Sequence, residues 1–581
     1  YNRFNDRRNS PSITFPGLDA FPTIGIQTDL NLLLGPFTDA PQATTQNTYQ
    51  LADNVTWNLN RHDIKFGFDG RSAISSMDFI SRVRGDYRYS TLNRYLMDMS
   101  PDVLAQRNVG GLPYLGNAPA YYLYGNDNWK VTRKLTVNIG ARWEYNGVSK
   151  SMKEQALNSL ADVPGVLTFA APKAQLMNFA PRVGFAWDVF GDGKTSVRGG
   201  YGIFYDFPNA IMTNSHADQA PFGTTVTVFG NNTNSFTDPW AGTTNPFPGS
   251  LNPPSTITFP QFSSQFVNAA DFRNPYVQSW NLTLERQLVA GFVLRGSYAA
   301  SKSTRLGVPR ELNAAIYSVG ATTATTNQRR PYAPGLGSTP IVESVGNSTY
   351  HSMQWTVERR FQKGFTLLAN YQFSKSIDDA SGNKQNGNAR TDPFNQRYDK
   401  GLSDFYRKHI FNLSGVYELP FHPKTPLAKM IIGGWNLNSI VSYNTGRPFT
   451  VTSGVDNART GAGGQRADVI ADPNFGGNRS HAEQITEWLK RAAFVPNAVG
   501  TYGNLGRNTY IGPGFANVDL GIVKNFSYRE RCNTQFRFEL FNALNHTNFA
   551  NPTTAQNSGN FMRITSASDP RILQLALRFN F

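Results

Sequence analysis

Along most of the chain, apolar and polar side chains alternate at every second position, in runs of nine to thirteen residues. The run from Leu135 to Tyr145 is the clearest: Leu135, Val137, Ile139, Ala141, Trp143 and Tyr145 share one face, and Thr136, Asn138, Arg142 and Glu144 share the other. Phe365 to Phe373 repeats the scheme, as do Trp280 to Leu288, Phe292 to Ala300, Trp435 to Tyr443 and Val518 to Phe526. A period of two is that of a β-strand, and helical periodicity is almost absent. The pattern predicts fifteen strands: 49–58, 62–72, 120–131, 134–145, 179–188, 195–207, 277–288, 292–301, 348–360, 365–375, 409–419, 435–445, 517–527, 533–543 and 572–581.

The connections between these strands alternate in length without a break. Short ones (59–61, 132–133, 189–194, 289–291, 361–364, 420–434, 528–532) interleave with long ones (73–119, 146–178, 208–276, 302–347, 376–408, 446–516, 544–571). A sandwich or propeller mixes its loop lengths, whereas a membrane barrel has short turns at one rim and long loops at the other. The expectation is therefore an all-β chain forming a transmembrane antiparallel up-and-down β-barrel over 49–581. Residues 1–48 are expected to be an extracellular loop or a remnant of upstream barrel. The end of the chain agrees. Leu573, Leu575, Leu577, Phe579 and Phe581 fall on one face, and the chain stops on an aromatic. That is the pattern of the closing strand of a bacterial outer-membrane barrel, which the barrel assembly machinery reads. It places the chain in outer-membrane lipid with its C-terminus on the short-turn, periplasmic side.

The mean hydropathy is −0.41, and no stretch approaches the roughly 20 apolar residues of a spanning helix. A barrel strand needs only about 10 residues, with every second one in lipid, so this excludes nothing here. With 41 Phe and 25 Tyr, there are enough aromatics for girdles at both membrane interfaces. Candidates near strand ends are Trp129, Trp143, Tyr145, Tyr205, Phe207, Trp280, Tyr371, Phe373, Tyr443 and Phe526. The polar faces carry Arg142, Glu144, Arg198, Glu285, Arg295, Glu358, Arg537 and Glu539, which suit a hydrated lumen; all but Arg295 are candidates for contact with a ligand there. Two readings of them stand open: the arginines contact an anionic substrate, or they pair with carboxylates across strands. The net charge of +15 raises the question of nucleic acid. Basic residues do not cluster: the densest groups, Arg7-Arg8, Arg329-Arg330 and Arg359-Arg360, are widely separated pairs, so no nucleic-acid partner is expected.

Little in the chain points to catalysis. Gly191-Asp192-Gly193-Lys194-Thr195 resembles a phosphate loop, but Asp188 stands where the first glycine belongs and a strand follows; it reads as a turn. The seven histidines (62, 216, 351, 409, 422, 481, 546) show no metal-ligand spacing, and Cys532 is alone. Asp378-Asp379 reads as a solvated acidic loop, with a cation site as the other reading. Glu483 to Ala493 reads as a short packing helix. No nucleophile elbow appears, so neither an enzyme nor a cofactor is expected. The long loops, rich in Asn, Thr, Gly and Pro, make a surface for an extracellular ligand.

The hairpin Asp127-Asn128-Trp129-Lys130 through Arg142-Trp143-Glu144-Tyr145 resembles one typical of TonB-dependent outer-membrane transporters. It is most similar to the Oar-like branch, whose members carry a carboxypeptidase-regulatory-like domain at the N-terminus. Asn178 to Trp187, followed by Val197 to Tyr205, is similar to that group's next hairpin, and Phe536 to Phe549 to its penultimate strand and loop. The resemblance implies a barrel of about 22 strands, leaving about seven to precede Tyr1. It also implies an N-terminal plug and a segment contacting the TonB complex, neither of which is found in these residues; the chain, beginning without methionine, reads as a fragment or processed form. A scarce substrate would be bound at the extracellular loops and admitted through the lumen. The rivals are a passive porin-like channel, a surface adhesion or recognition barrel, and a soluble secreted β-protein.

Overall fold

The computed structural model describes residues 1–8, 21–27, 32–79, 82–110, 114–153, 172–206, 223–227, 262, 264, 266–381, 390–421, 423–528 and 532–580. Strands with one apolar and one polar face gather into sheets, and among the described residues nineteen strands, most of them of this kind, form a single sheet. Sixteen are long: β1 (Asn2–Arg8), β2 (Gln42–Leu59), β3 (His62–Phe79), β4 (Ala118–Lys130), β5 (Leu135–Asn146), β6 (Gln175–Asp188), β7 (Thr195–Tyr205), β8 (Tyr276–Gln287), β9 (Phe292–Glu311), β10 (Pro340–Gln362), β11 (Phe365–Asp378), β12 (His409–Glu418), β13 (Trp435–Asn444), β14 (Phe515–Tyr528), β15 (Cys532–Phe541) and β16 (Ile572–Asn580). Each pairs antiparallel with the next in sequence, so the sheet is an up-and-down meander. All fifteen expected strands are present. The sixteenth, β1, lies in the span 1–48 and pairs with β2. Among the described residues no pairing joins β1 to β16, and these two are the edges of the sheet.

Register keeps the apolar face continuous. Leu573, Leu575 and Leu577 lie opposite Leu540, Phe538 and Phe536. These side chains are not buried against protein: Leu575 is 60% and Phe579 63% exposed. Leu282, Leu284, Met353, Trp355, Tyr371 and Phe373 extend the exposed apolar belt along the sheet. A patch of this extent is a surface built for hydrocarbon. Phe581 lies outside the described residues, so its part in the terminal pattern is not placed. Leu575→Lys is expected to destabilise the barrel by about 2–4 kcal/mol in lipid, whereas Gln574→Lys, on the opposite face, is expected to change little. Unfolding titrations of the two variants in bilayers test this; equal effects would contradict the assignment of faces.

The sixth and seventh strands meet in a turn that closes on itself. The Asp188 carboxylate accepts the Gly191 and Gly193 N–H groups, both at 3.0 Å. Both glycines have positive φ (79° and 72°), which a side chain would strain. With β7 following directly, no helix terminus is available for a phosphate.

The described parts of several long connections fold into bodies of their own. Thr23–Ile26, Leu32–Leu34, Asp86–Tyr89, Leu104–Gly110 and Gly223–Thr227 form a separate five-stranded sheet. It packs on Ile24, Tyr87, Tyr89 and Ala105. A second body is built from 445–514 and 542–571 around Phe449, Val451, Ala467, Leu489, Ala493, Phe494, Leu505, Phe561 and Met562. The helix expected over 483–493 is shorter and earlier, His481–Thr486. Ser480 and Glu483 cap it reciprocally, and the chain then bends into a 3-10 turn, Arg491–Ala493, with Leu489 and Ala493 in this core.

Candidate functional site

The seven lumen candidates all lie on the polar face, but the structure does not gather them into one site. They fall into separate clusters along the sheet. On β5, Arg142 Nε lies 3.1 Å from Glu144 Oε1, within one strand rather than across two. Its guanidinium stacks 4.3 Å over the Tyr122 ring. Next to them Arg71 pairs with Asp69 at 2.6 Å, and Gln50 donates to the same carboxylate.

The second cluster spans three strands. Arg198 Nη2 on β7 and Arg295 Nε on β9 both donate to Glu285 Oε2 on β8, at 2.8 and 2.7 Å. Two guanidinium groups on one carboxylate leave a net positive charge facing the lumen. Nearby, Arg182 lies 4.6 Å over the Phe204 ring. Glu358 lies 3.6 Å from Arg360 of its own strand, an exposed and weak pair. Arg537 Nε donates to Gln535 Oε1 at 2.5 Å rather than to Glu539, which stands two positions further on the same face.

A second constellation, absent from the sequence-based expectation, lies at the long-loop rim. Of Asp378-Asp379, the first is not solvated. Asp378 is 3% exposed at the end of β11 and is bonded by the guanidinium of Arg507. The same guanidinium donates to the Asp378 and Asp399 carbonyls (2.7 and 2.6 Å) and to Ser381 Oγ (3.1 Å), and its Nη1 also reaches Asp404 Oδ1 (3.3 Å). Asp379 accepts the Asn347 N–H at 2.9 Å. Asp378 is thus engaged by the protein itself, which corrects both the solvated and the cation-site readings for that residue, while Asp379 stays half-buried.

Beside it, Arg466 bonds the Asp399 carboxylate, donates to the Tyr398 carbonyl at 2.7 Å and stacks 3.9 Å over the Tyr398 ring. Burial lowers the Arg466 pKa from its ordinary value and pushes Tyr398 up to about 12. Gly503 passes so close that a Cβ would meet the Arg466 carbonyl oxygen at 2.0 Å, so only glycine fits. Above these pairs opens a polar cavity of about 390 Å³, lined by Thr391, Asp404, Thr450, Thr452, the glycine-rich turn 461–464 and the two arginines. No sequence signal marked this site, because the ion-pair partners lie 67 and 129 residues apart.

Histidines act as hydrogen-bonding residues: His62 with Asp127 (2.6 Å), His351 with Tyr298 (2.7 Å) and His409 with Tyr371 (2.8 Å). Among the described residues no group of three or more His, Cys, Asp or Glu side chains could hold a metal. His216, His422 and Phe207 lie outside the described residues.

A meander of long strands with a lipid-type outer face and charged inner face matches one family model, described as "Outer membrane beta barrel domain", over residues 2–574. The chain belongs to this family. Among solved structures, this outer-membrane barrel is similar in fold to the outer membrane transporter YddB from Escherichia coli. The TM-score is 0.52 at 10% identity, covering 96% of this chain and 57% of that one. The ferripyoverdine receptor of Pseudomonas aeruginosa is also similar (TM-score 0.47, 10% identity, 93% and 49% covered). So is the siderophore receptor PirA from Acinetobacter baumannii (TM-score 0.46, 11% identity, 97% and 58% covered). The barrel thus spans about half the length of these proteins. None of the curated proteins matches it.

Proposed function

We propose that this barrel is part of an energised outer-membrane transporter that binds a scarce substrate at its long-loop rim and admits it through the lumen. The observation that carries this reading is the rim itself. It is a packed body with its own apolar core, buried ion pairs and a polar cavity, and a passive pore has no need of that. The fold likeness to an outer membrane transporter supports it. In this reading the long loops are extracellular and the C-terminus is periplasmic. Energy reaches the barrel from the TonB complex through a plug domain, and the barrel assembly machinery inserts the chain through its C-terminal strand. The resemblance of the Asp127–Tyr145 hairpin supports placing it in the Oar-like branch, beside proteins with a carboxypeptidase-regulatory-like domain.

Of the lumen candidates, Arg198 and Glu285, joined by Arg295, form the cluster whose residual charge suits an anionic substrate. Arg142, neutralised by Glu144 and held on Tyr122, has the character of a structural residue.

Conductance of the whole protein in planar bilayers separates the readings. A transporter is expected to stay closed, whereas a steadily open channel would establish the porin-like alternative. If the protein is closed, nutrient-limited growth that requires both the protein and the TonB complex is expected; adhesion without such growth would establish a display barrel. Replacing both Arg198 and Arg295 by Gln is expected to slow anionic substrate entry while folding is retained. Unchanged uptake would remove these residues from the path.

A further inference from the structure

One connection at the short-turn rim is unlike the rest. Residues 419–434, between β12 and β13, contain a seven-residue α-helix, Pro426–Ile432, whereas 59–61, 132–133, 189–194 and 361–364 are turns and 289–291 is a single 3-10 turn. Leu427, Met430 and Ile431 stand at i, i+3 and i+4 and form one stripe, exposed by 66%, 58% and 57%. Lys424, just before the helix, is exposed.

The helix is fixed in place. The Trp435 indole N–H donates to the Ile431 carbonyl at 2.9 Å. The Lys524 ammonium, buried with the Trp435 and Phe526 rings 5.3 and 5.1 Å away, donates to the Gly433 carbonyl. Trp435 and Lys524 both belong to the apolar face, on which Leu437, Leu520 and Ile522 are also exposed. The two anchors therefore hold the end of the helix on the lipid side of the rim rather than over the lumen. Its exposed stripe continues the belt that faces hydrocarbon.

We propose that helix Pro426–Ile432 is a membrane-interface anchor, with Leu427, Met430 and Ile431 in the acyl-chain region of the adjacent leaflet and Lys424 at the level of the lipid phosphates. The proposal rests on the barrel's membership of its family and not on transport, so it stands or falls separately from the function proposed above.

Spin labels test it. In a Cys532→Ser background, Leu427→Cys, Met430→Cys, Ile431→Cys and Lys424→Cys are labelled singly in the whole protein, with Leu437→Cys as the lipid-facing reference. The protein is reconstituted into phosphatidylethanolamine–phosphatidylglycerol vesicles. Heat-dependent gel mobility shows that each variant is folded. Labels at 427, 430 and 431 are expected to collide severalfold more with oxygen than with a water-soluble nickel chelate, as at 437, and the label at 424 to show the reverse. Nickel collisions dominating at 430 and 431 would place the helix in water. Labels shielded from both reagents would show that a protein surface, either a second copy or a partner, covers the stripe. Either result overturns the proposal.

Discussion

Arg507→Leu is expected to destabilise the long-loop rim by about 3–5 kcal/mol while the sheet below keeps its pairing. Arg507 comes from the connection 445–514 and inserts a guanidinium into the end of β11, where Asp378 is almost without contact with water. Removing the cation leaves that carboxylate buried without its partner. The Asp378 and Asp399 carbonyls lose donors in the same step. A buried charge stripped of its counter-ion is more damaging than the pair is stabilising, because desolvation is no longer offset. The double variant Arg507→Leu with Asp378→Leu is therefore expected to recover a substantial part of the loss, since both charges leave together. Hydrogen exchange resolves the site of the effect. Amides of 390–408 and 445–514 should exchange faster in the single variant, while those of β12 to β16 keep their protection. Unchanged exchange in the connections would show that the ion pair does not hold the rim together.

The barrel was legible because its physics is local and periodic. Leu135 to Tyr145 alternates whatever surrounds it, and the register that brings Leu575 opposite Phe538 follows once one face must be apolar throughout. Loop-length alternation then fixed which connections lie together at each rim. The strand at Asn2–Arg8 escaped because its residues are polar at nearly every position; backbone pairing with Gln42–Thr48, not alternation, makes it a strand. The rim escaped for a different reason. Arg466 and Asp399, or Arg507 and Asp378, carry no mark in the sequence that distinguishes a buried ion from a solvated one. Only the fold shows that distant loops enclose them. Asp378 was misread on the same ground, because a pair of carboxylates in a polar loop is ordinarily wet. The helix expected through Ala493 had the right apolar residues, but Leu489 and Ala493 answer to the core around Phe494 rather than to a helical stripe.

That core carries the other large expectation. Phe494→Ala should destabilise the second loop body by about 3–5 kcal/mol, the range for deleting a fully buried ring. Phe494 is 2% exposed and meets Tyr510 and Phe561 edge-on, with centroids 5.6 and 5.8 Å apart. It belongs to the connection 445–514, whereas Phe561 belongs to 542–571, so its ring is part of what makes one body of two loops. The two effects can be told apart because the barrel is stabilised by strand pairing in lipid and the rim by a water-type core. In the variant, limited proteolysis is expected to cut within 445–514 at protease concentrations that leave the native rim intact. The folded barrel should still resist denaturation by detergent at room temperature. If the proposed transporter reading holds, binding at the rim is lost with the core even though no residue of the polar cavity has changed. A variant as resistant to protease as the native protein would mean that the long loops are held by the barrel mouth and its ion pairs, and that the apolar cluster contributes little to their folding.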